Sequence, residues 1–253
     1  MTAILAELIA ELDVLLKPDE FRDYCPNGLQ VEGKAEVGKL ISGVTACQDL
    51  IDAAIQRRAD AILVHHGYFW NGENPAITGI KQQRIRKLLQ HDISLLAYHL
   101  PLDAHPLLGN NAQLGKLLGF SMECDLEPRF KSKVGVRGNV LEPCTGEELA
   151  QRIGNKLGRQ PFHVPGRAEH IRTIGWCTGS AQSNIELAHQ CGVDAYLTGE
   201  VSEQTVHYAR ESGIHFYAAG HHATERYGVQ AVAAYLQEKF GLQHEFVDID
   251  NPV

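Results

Sequence analysis

Two adjacent histidines, His65 and His66, close the apolar run at 61–64 and are followed by Gly67. In an open α/β sheet, ligands gather beyond the carboxyl ends of the strands, so imidazoles at a strand end stand where function is expected. Neighbouring side chains on a strand point to opposite faces, but a turn at Gly67 lets both rings converge. Taken alone, the pair is equally a hydrogen-bonded strand end. Two further strand ends supply the same chemical types. Asp103 follows the run at 94–98, in His99-Leu100-Pro101-Leu102-Asp103, and His221 and Glu225 follow the run at 215–218. With a helix beginning near Thr224, His221 and Glu225 stand one turn apart and face one point.

Imidazole with carboxylate and no thiolate is the ligand set of a catalytic Zn, Mn, Fe or Ni site. Five ligands are too many for one open tetrahedral zinc and suit two divalent ions bridged by a carboxylate and a water. His99, His105 and His222 compete for these places, either as ligands or as partners that orient one. His99 and Glu200 are the candidates for proton transfer; a helix-starting carboxylate is the plain alternative for Glu200. Asn110-Asn111 reads as a helix cap. Turns beside these residues, such as Thr178-Gly179-Ser180, could offer N–H groups to a phosphate. No Walker loop, dinucleotide glycine fingerprint or Gly-x-Ser-x-Gly elbow is present.

The elements that must position these residues follow from the pattern. Ile4, Leu5, Leu8, Ile9, Leu12, Leu15 and Leu16 make one stripe of an amphipathic helix rather than a secretion signal. Asn27-Gly28 reads as a turn. Strands are expected at 40–45, 61–64, 94–98, 134–141, 173–177, 195–198, 215–218 and 244–249, and helices at about 47–58, 77–90, 110–118, 145–157, 181–191, 202–212 and 223–240. That alternation is α/β. Residues 41–67 are matched in layout by 174–200, each a strand, a small-residue turn, a helix, Asp-Ala and a second strand. Each is followed by a helix and another strand, so that His99 and Asp103 correspond to His221 and Glu225. A duplication predicts two similar halves about a pseudo-twofold axis, divided near 125/126: residues 1–125 carry His65, His66 and Asp103, and 126–253 carry His221 and Glu225. Residues 121–172, rich in Gly and Pro, read as an interdomain excursion.

The chain has 253 residues, 44% of them hydrophobic, enough for a substantial core, and a formal net charge of −8, which argues against a bulk electrostatic grip on nucleic acid. No apolar run is long enough to cross a membrane. The six scattered cysteines read as reduced thiols of a cytoplasmic protein.

The segments ADAILVHHGYFW, YHLPLDAHPLLGNNAQL, YLTGE and GHHATERYGV resemble the signatures of the Nif-three-like dinuclear metal proteins, also called GTP cyclohydrolase I type 2 homologs, in their short bacterial form. The resemblance runs over nearly the whole chain, from PNGLQVEG to VDIDNP. It implies two similar α/β domains meeting at a dinuclear metal site, and a toroidal homohexamer built from dimers. It places the ligands at His65, His66, Asp103, His221 and Glu225, with Glu225 shared between two ions. It also implies hydrolysis of a purine nucleotide: water activated by the metals opens the guanine ring of GTP and formate leaves. A phosphoesterase or another amidohydrolase would use the same cluster. A different class of reading is a non-enzymatic hexameric adaptor for nucleic acid or protein, its lumen lined by Arg84, Arg86, Lys87, Arg129, Lys131 and Lys133.

Overall fold

The computed structural model describes residues 2–126 and 134–253. A short strand β1 (Ala3–Ile4) leads into α1 (Leu5–Leu16), where leucines three and four apart bury Leu5, Leu8, Leu12 and Leu16; Lys17, left-handed at φ 49°, ends the helix ahead of Pro18. Then come β2 (Gly28–Val31), β3 (Glu36–Val37), β4 (Lys39–Thr45), α2 (Gln48–Gln56), β5 (Ala61–His66), α3 (Gly79–Gln90), β6 (Ser94–Ala97) and α4 (Leu100–Ala104). The chain continues through α5 (Asn110–Leu118), β7 (Phe120–Asp125), β8 (Val136–Cys144), α6 (Gly146–Leu157), β9 (Phe162–Val164) and β10 (Ile171–Trp176). It ends with α7 (Ile185–Gln190), β11 (Ala195–Thr198), α8 (Glu203–Ser212), β12 (His215–Ala218), α9 (His221–Phe240) and β13 (Gln243–Phe246). Helix α6 starts with a capping box, in which Thr145 and Glu148 satisfy each other's backbone N–H groups.

The residues divide by their contacts into two units: Met1–Leu102 with Gly228–Asp250, and Asp103–Tyr227 with Asn251–Val253. The division differs from the expected one at 125/126, and Asp103 falls in the second unit. The end of the chain returns to the first unit's sheet because β13 pairs in parallel with β4, and Asp103 goes with Asn110 and Thr178, which hold its carboxylate.

In the first unit the sheet order is β13-β4-β5-β6-β2, with β4, β5 and β6 parallel and β2 antiparallel at the edge. Its buried core includes Ile41, Leu50, Ile51, Ile62, Val64 and Leu95. β5, buried through His65, reads as a continuous apolar run up to that residue, as a central parallel strand should. In the second unit the order is β7-β8-β10-β11-β12-β9, with β10, β11 and β12 parallel and the rest antiparallel. Both faces of this sheet are covered, one around Trp176, Ile153 and Leu149, the other around Phe216, Tyr196 and Ile185. The segment expected to be an excursion supplies β7, β8, α6, β9 and the start of β10. Its glycines serve the sheet: a Cβ on Gly138 would lie 1.6 Å from the Ser121 carbonyl oxygen on the neighbouring strand. Asn27-Gly28 does not end in a turn, because Gly28, at φ 102°, opens β2.

Three parallel strands with an antiparallel edge therefore occur twice, as β4-β5-β6-β2 and β10-β11-β12-β9. A shared detail supports duplication. The carboxylate of Asp60 accepts the N–H groups of Gly38 and Lys39, and that of Asp194 accepts those of Arg172 and Thr173. Each Asp-Ala step thus pins the neighbouring strand's start. The pairings Val64 with Ala97 and Thr198 with Ala218 place Leu100 level with His221, and both residues begin helices. The correspondence read from sequence, His99 with His221, is one residue out, since Gly220 stands at the place of His99.

Asp60 gives a pH-dependent prediction. Burial disfavours its charge, but the Gly38 and Lys39 N–H groups and Lys34 outweigh this and hold its pKa below the usual carboxylate range. A lowered folded-state pKa contributes stability that is present above the unfolded value of about 3.9 and lost as pH falls through the folded one. Asp60→Ala should cost about 1–3 kcal/mol at pH 7, the range for stranding buried donors. Urea unfolding at pH 7 and pH 3 checks this; an equal gap between wild type and variant at both pH values would refute it.

Candidate metal centre

In the first unit, β5 ends in His65 and His66, and His99 follows the end of the neighbouring β6. Parallel pairing of these strands brings the three rings together. Their centroids are 4.5 Å apart for His65 and His66, 5.0 Å for His65 and His99, and 5.7 Å for His66 and His99. One ring nitrogen from each lies within 4.8 Å of the others, a spacing that admits a metal ion. A polar partner holds Nδ1 of every ring. His65 Nδ1 donates to the Tyr98 carbonyl at 3.1 Å, His66 Nδ1 meets Thr45 Oγ1 at 3.1 Å, and His99 Nδ1 donates to Asp23 Oδ1 at 2.7 Å. For His65 and His99 this fixes the tautomer with the lone pair on Nε2, the arrangement of a ligating histidine.

Asp23 is itself held. Its Oδ2 accepts from Asn27 Nδ2 and the Leu100 N–H, both at 2.9 Å, while Asn27 Oδ1 accepts the His99 N–H at 2.7 Å. Burial works against its charge, yet the hydrogen bonds from His99 and Asn27 hold its pKa below the usual range. Cys25 is within reach of Asp23 and His99, but burial pushes its thiol pKa up to about 12, which keeps the sulfur protonated.

In the second unit, His221 and Glu225 lie on the first turns of α9, with His221 Nε2 3.3 Å from Glu225 Oε2. Glu200, just beyond the end of β11, accepts from His221 Nδ1 at 2.6 Å and from Ser180 Oγ at 3.0 Å. Asp103 is buried and accepts from Asn110 Nδ2 at 2.8 Å and Thr178 Oγ1 at 3.2 Å. A carboxylate oxygen of Asp103 lies within 4.8 Å of one of Glu225. Burial alone would lower the pKa of His221, but hydrogen bonds and charge from Glu225 and then Glu200 push it up to about 9. A positive charge is what this pair of carboxylates selects for at that point.

The turn between β10 and α7 is shaped to these groups. Gly179 has φ 69°, and a Cβ there would lie 2.1 Å from Glu225 Oε1 and 3.2 Å from His221 Nε2. Its N–H donates to Thr224 Oγ1, and the Thr178 N–H donates to Asn111 Oδ1. Those two groups hold the turn, so they are not donors for a phosphate, contrary to the expectation for Thr178-Gly179-Ser180.

Of the competing histidines, only His99 joins a possible metal cluster among the described residues. His105 caps its own turn, Nδ1 accepting the N–H groups of Leu107 and Leu108, and the His222 backbone N–H donates to the Val253 carbonyl. Asn110 and Asn111, expected only to cap a helix, hold Asp103 through its side chain and its carbonyl. The roles of Asp23, Asn27, Thr45 and Thr178 in holding these groups escaped the sequence reading, which took Asn27 for a turn and Thr178 for part of a phosphate-binding one, because a single polar residue carries no spacing signal. Of the cations considered for a lumen, Lys87 is paired with Asp52, and Arg129, Lys131 and Lys133 lie outside the described residues.

The family model described as Duf34/NIF3 (NGG1p interacting factor 3) matches residues 3–252. The chain belongs to the DUF34/NIF3 family. It is 55% identical over 252 residues to the GTP cyclohydrolase 1 type 2 homolog of Pseudomonas aeruginosa, covering all of both chains, and 55% identical over 249 residues to that of Vibrio cholerae, covering 98% of each. Among solved structures it is similar to the protein ybgI, described as of unknown function, with TM-score 0.95 and 49% identity over 99% of this chain and 100% of that one. It is also similar to TTHA1606 from Thermus thermophilus, with TM-score 0.89 and 35% identity over 99% and 100%. No helix among the described residues of this DUF34/NIF3 protein is long and apolar enough to cross a membrane.

The contacts of Glu200 make it a partner that holds the His221 ring through Nδ1. Glu200→Gln should weaken metal binding roughly 10- to 100-fold, the range for removing a hydrogen-bond partner of a ligand. Competition with a chelator of known affinity measures it, and an unchanged affinity would remove that assignment.

Proposed function

We propose that this DUF34/NIF3 protein is a metal-dependent hydrolase that holds two divalent ions through His65, His66, Asp103, His221 and Glu225 and acts on a purine nucleotide. The observation that carries the reading is the chemistry of the donors. Each unit presents a group of imidazoles or carboxylates whose other polar atoms are already tied to the protein, as metal ligands are and as surface charges are not. Nitrogen and oxygen donors without thiolate fit Zn, Mn, Fe or Ni. When bound, such ions supply Lewis acidity and bring the pKa of a bound water down to about 7.

The chain's own residues then have definite tasks. His65 and His66 are held at Nδ1 by Tyr98 and Thr45, so their rings stay oriented. Glu225, which lies close to both Asp103 and His221, would be a ligand common to the two ions. His99, its Nδ1–H locked by Asp23, is the group placed to move a proton at Nε2, a role worth on the order of a hundredfold or more in rate. The relatives' name favours GTP as substrate, with ring opening and formate release. A phosphoester is the second reading, because a two-metal site clamps phosphoryl oxygens equally well. Assembly into a hexamer, a trimer of dimers, is part of the proposal and is read by native mass spectrometry.

The deciding experiment is metal content per chain together with formate release from GTP, for wild type and His66→Ala. About two metals with His66-dependent formate release is the expected result. Two metals without turnover would retain the ligands and overturn GTP; metal unaffected by His66→Ala would overturn the ligand assignment.

A further inference from the structure

The loop after His66 is built more tightly than ligation alone requires. Phe69 sits at φ 67°, a left-handed conformation that a bulky residue adopts only under constraint. The next residue, Trp70, donates its backbone N–H to Glu73 Oε2 at 3.0 Å and its indole Nε1–H to the Gly67 carbonyl at 3.2 Å. The one polar atom of the indole is thereby consumed within the loop, which leaves the partly exposed ring only apolar and π contacts to offer. Its centroid is 5.0 Å from that of His99, at 83°, and 5.9 Å from that of His66.

A second aromatic ring also neighbours His99. Tyr24 is 62% exposed, with its ring centroid 6.3 Å from that of His99. An exposed tyrosine normally belongs to a loose loop, but here the backbone is fixed on both sides. The Tyr24 N–H donates to Asp23 Oδ1 at 2.6 Å, and its carbonyl accepts the Asn71 N–H at 2.7 Å. Asn71 Nδ2 also donates to the Asp23 carbonyl, so the loop carrying Trp70 is joined to the loop carrying Tyr24. Both rings are thus set beside the three imidazoles of the first unit. Core filling does not account for Tyr24, which is mostly exposed.

We infer that Tyr24 and Trp70 form an aromatic seat that selects a planar heteroaromatic ring and presents it to the His65, His66 and His99 cluster. The seat determines substrate class by stacking, which every nucleobase permits and which a sugar or an acyclic phosphate does not. Only the choice of a purine rests on the function proposed above.

The test compares GMP with ribose 5-phosphate, which differ by the purine ring, as ligands of the metal-loaded protein in isothermal titration calorimetry. Metal content is measured in every sample. Wild type should bind GMP at least about tenfold more tightly than ribose 5-phosphate. Trp70→Ala should weaken GMP binding roughly 5- to 100-fold, the usual loss of a base–aromatic stack, with ribose 5-phosphate binding and metal content unchanged, and Trp70→Phe should restore most of it. Should Trp70→Ala not fold, Tyr24→Ala, at an exposed position, carries the same comparison. Equal binding of the two ligands by wild type, or a GMP preference untouched by both alanine variants, would overturn the seat. Ring-dependent binding without formate release from GTP supports the seat while removing GTP ring opening as the reaction. Formate release with no effect of either variant on GMP binding does the reverse.

Discussion

Replacing Glu225 with alanine is expected to remove at least half of the bound metal while leaving the fold intact. The carboxylate is buried, lies within 4.8 Å of Asp103 and contacts His221 Nε2 at 3.3 Å. Two buried carboxylates this close repel each other, and His221, its pKa pushed up to about 9, offsets that repulsion with a proton when no metal is bound. Metal uptake at neutral pH should therefore release a proton. The variant loses the ligand together with the hydrogen bond and charge that raise His221, so its metal-free form should melt somewhat below metal-free wild type, and the shift on chelation within each protein isolates the share of the metal.

A metal present at about 100 times its Kd stabilises the folded state by roughly 2.7 kcal/mol, worth about 5–10 °C in a chain of this size. A chelator should lower the wild-type Tm by that amount and the Tm of Glu225→Ala by less than about 2 °C. Elemental analysis with paired melts measures both quantities. Full metal content in the variant would remove Glu225 from the ligand set.

Gly179→Ala is expected to damage the same group of residues from outside it. The added methyl would sit 2.1 Å from Glu225 Oε1, and the backbone, at φ 69°, disfavours any L side chain. Glu225 is anchored on α9, so the carboxylate must rotate away from His221 or the turn must open. Opening the turn would break the Gly179 N–H bond to Thr224 Oγ1 and the Thr198 Oγ1 bond to the Gly179 carbonyl. Strain of this kind costs on the order of 1–3 kcal/mol, or about 2–10 °C in Tm at this length, and metal affinity should fall with it. Gly192→Ala is the control, because Gly192 also has a positive φ, at 72°, but a Cβ there meets nothing within 4 Å. It should share the backbone penalty and keep the metal. Equal metal retention by the two variants would show that Gly179 serves the turn alone.

These two variants also separate what was legible in the sequence from what was not. The candidate ligands stood out because they punctuate apolar runs: His65 and His66 after 61–64, and His221 and Glu225 after 215–218. A period of two or of 3.6 is a local property, so the central parallel strands and most helices were readable within a residue or two, and so was the repeat of strand, helix and Asp-Ala. The edge strands β2, β7 and β9 were not, because short antiparallel edges are specified by the strand they join more than by their own pattern.

The same distinction governs the site. Residue type and place at a strand end were enough to nominate His65, His66, Asp103, His221 and Glu225. Which nitrogen each ring turns outward was decided by Tyr98, Asp23 and Glu200, which lie 33, 76 and 21 residues away from the histidines they hold. The unit to which the end of the chain belongs was decided by β13 pairing with β4 across some 200 residues of chain, and that of Asp103 by partners as distant as Thr178, 75 residues further on. The need for glycine at 179 was decided by a carboxylate 46 residues further on. Local periodicity and residue chemistry are written in the order of the chain. The orientation of a ligand and the fit of a turn against it exist only once distant segments are packed, because they arise from hydrogen bonds and steric contacts that no short window of sequence contains.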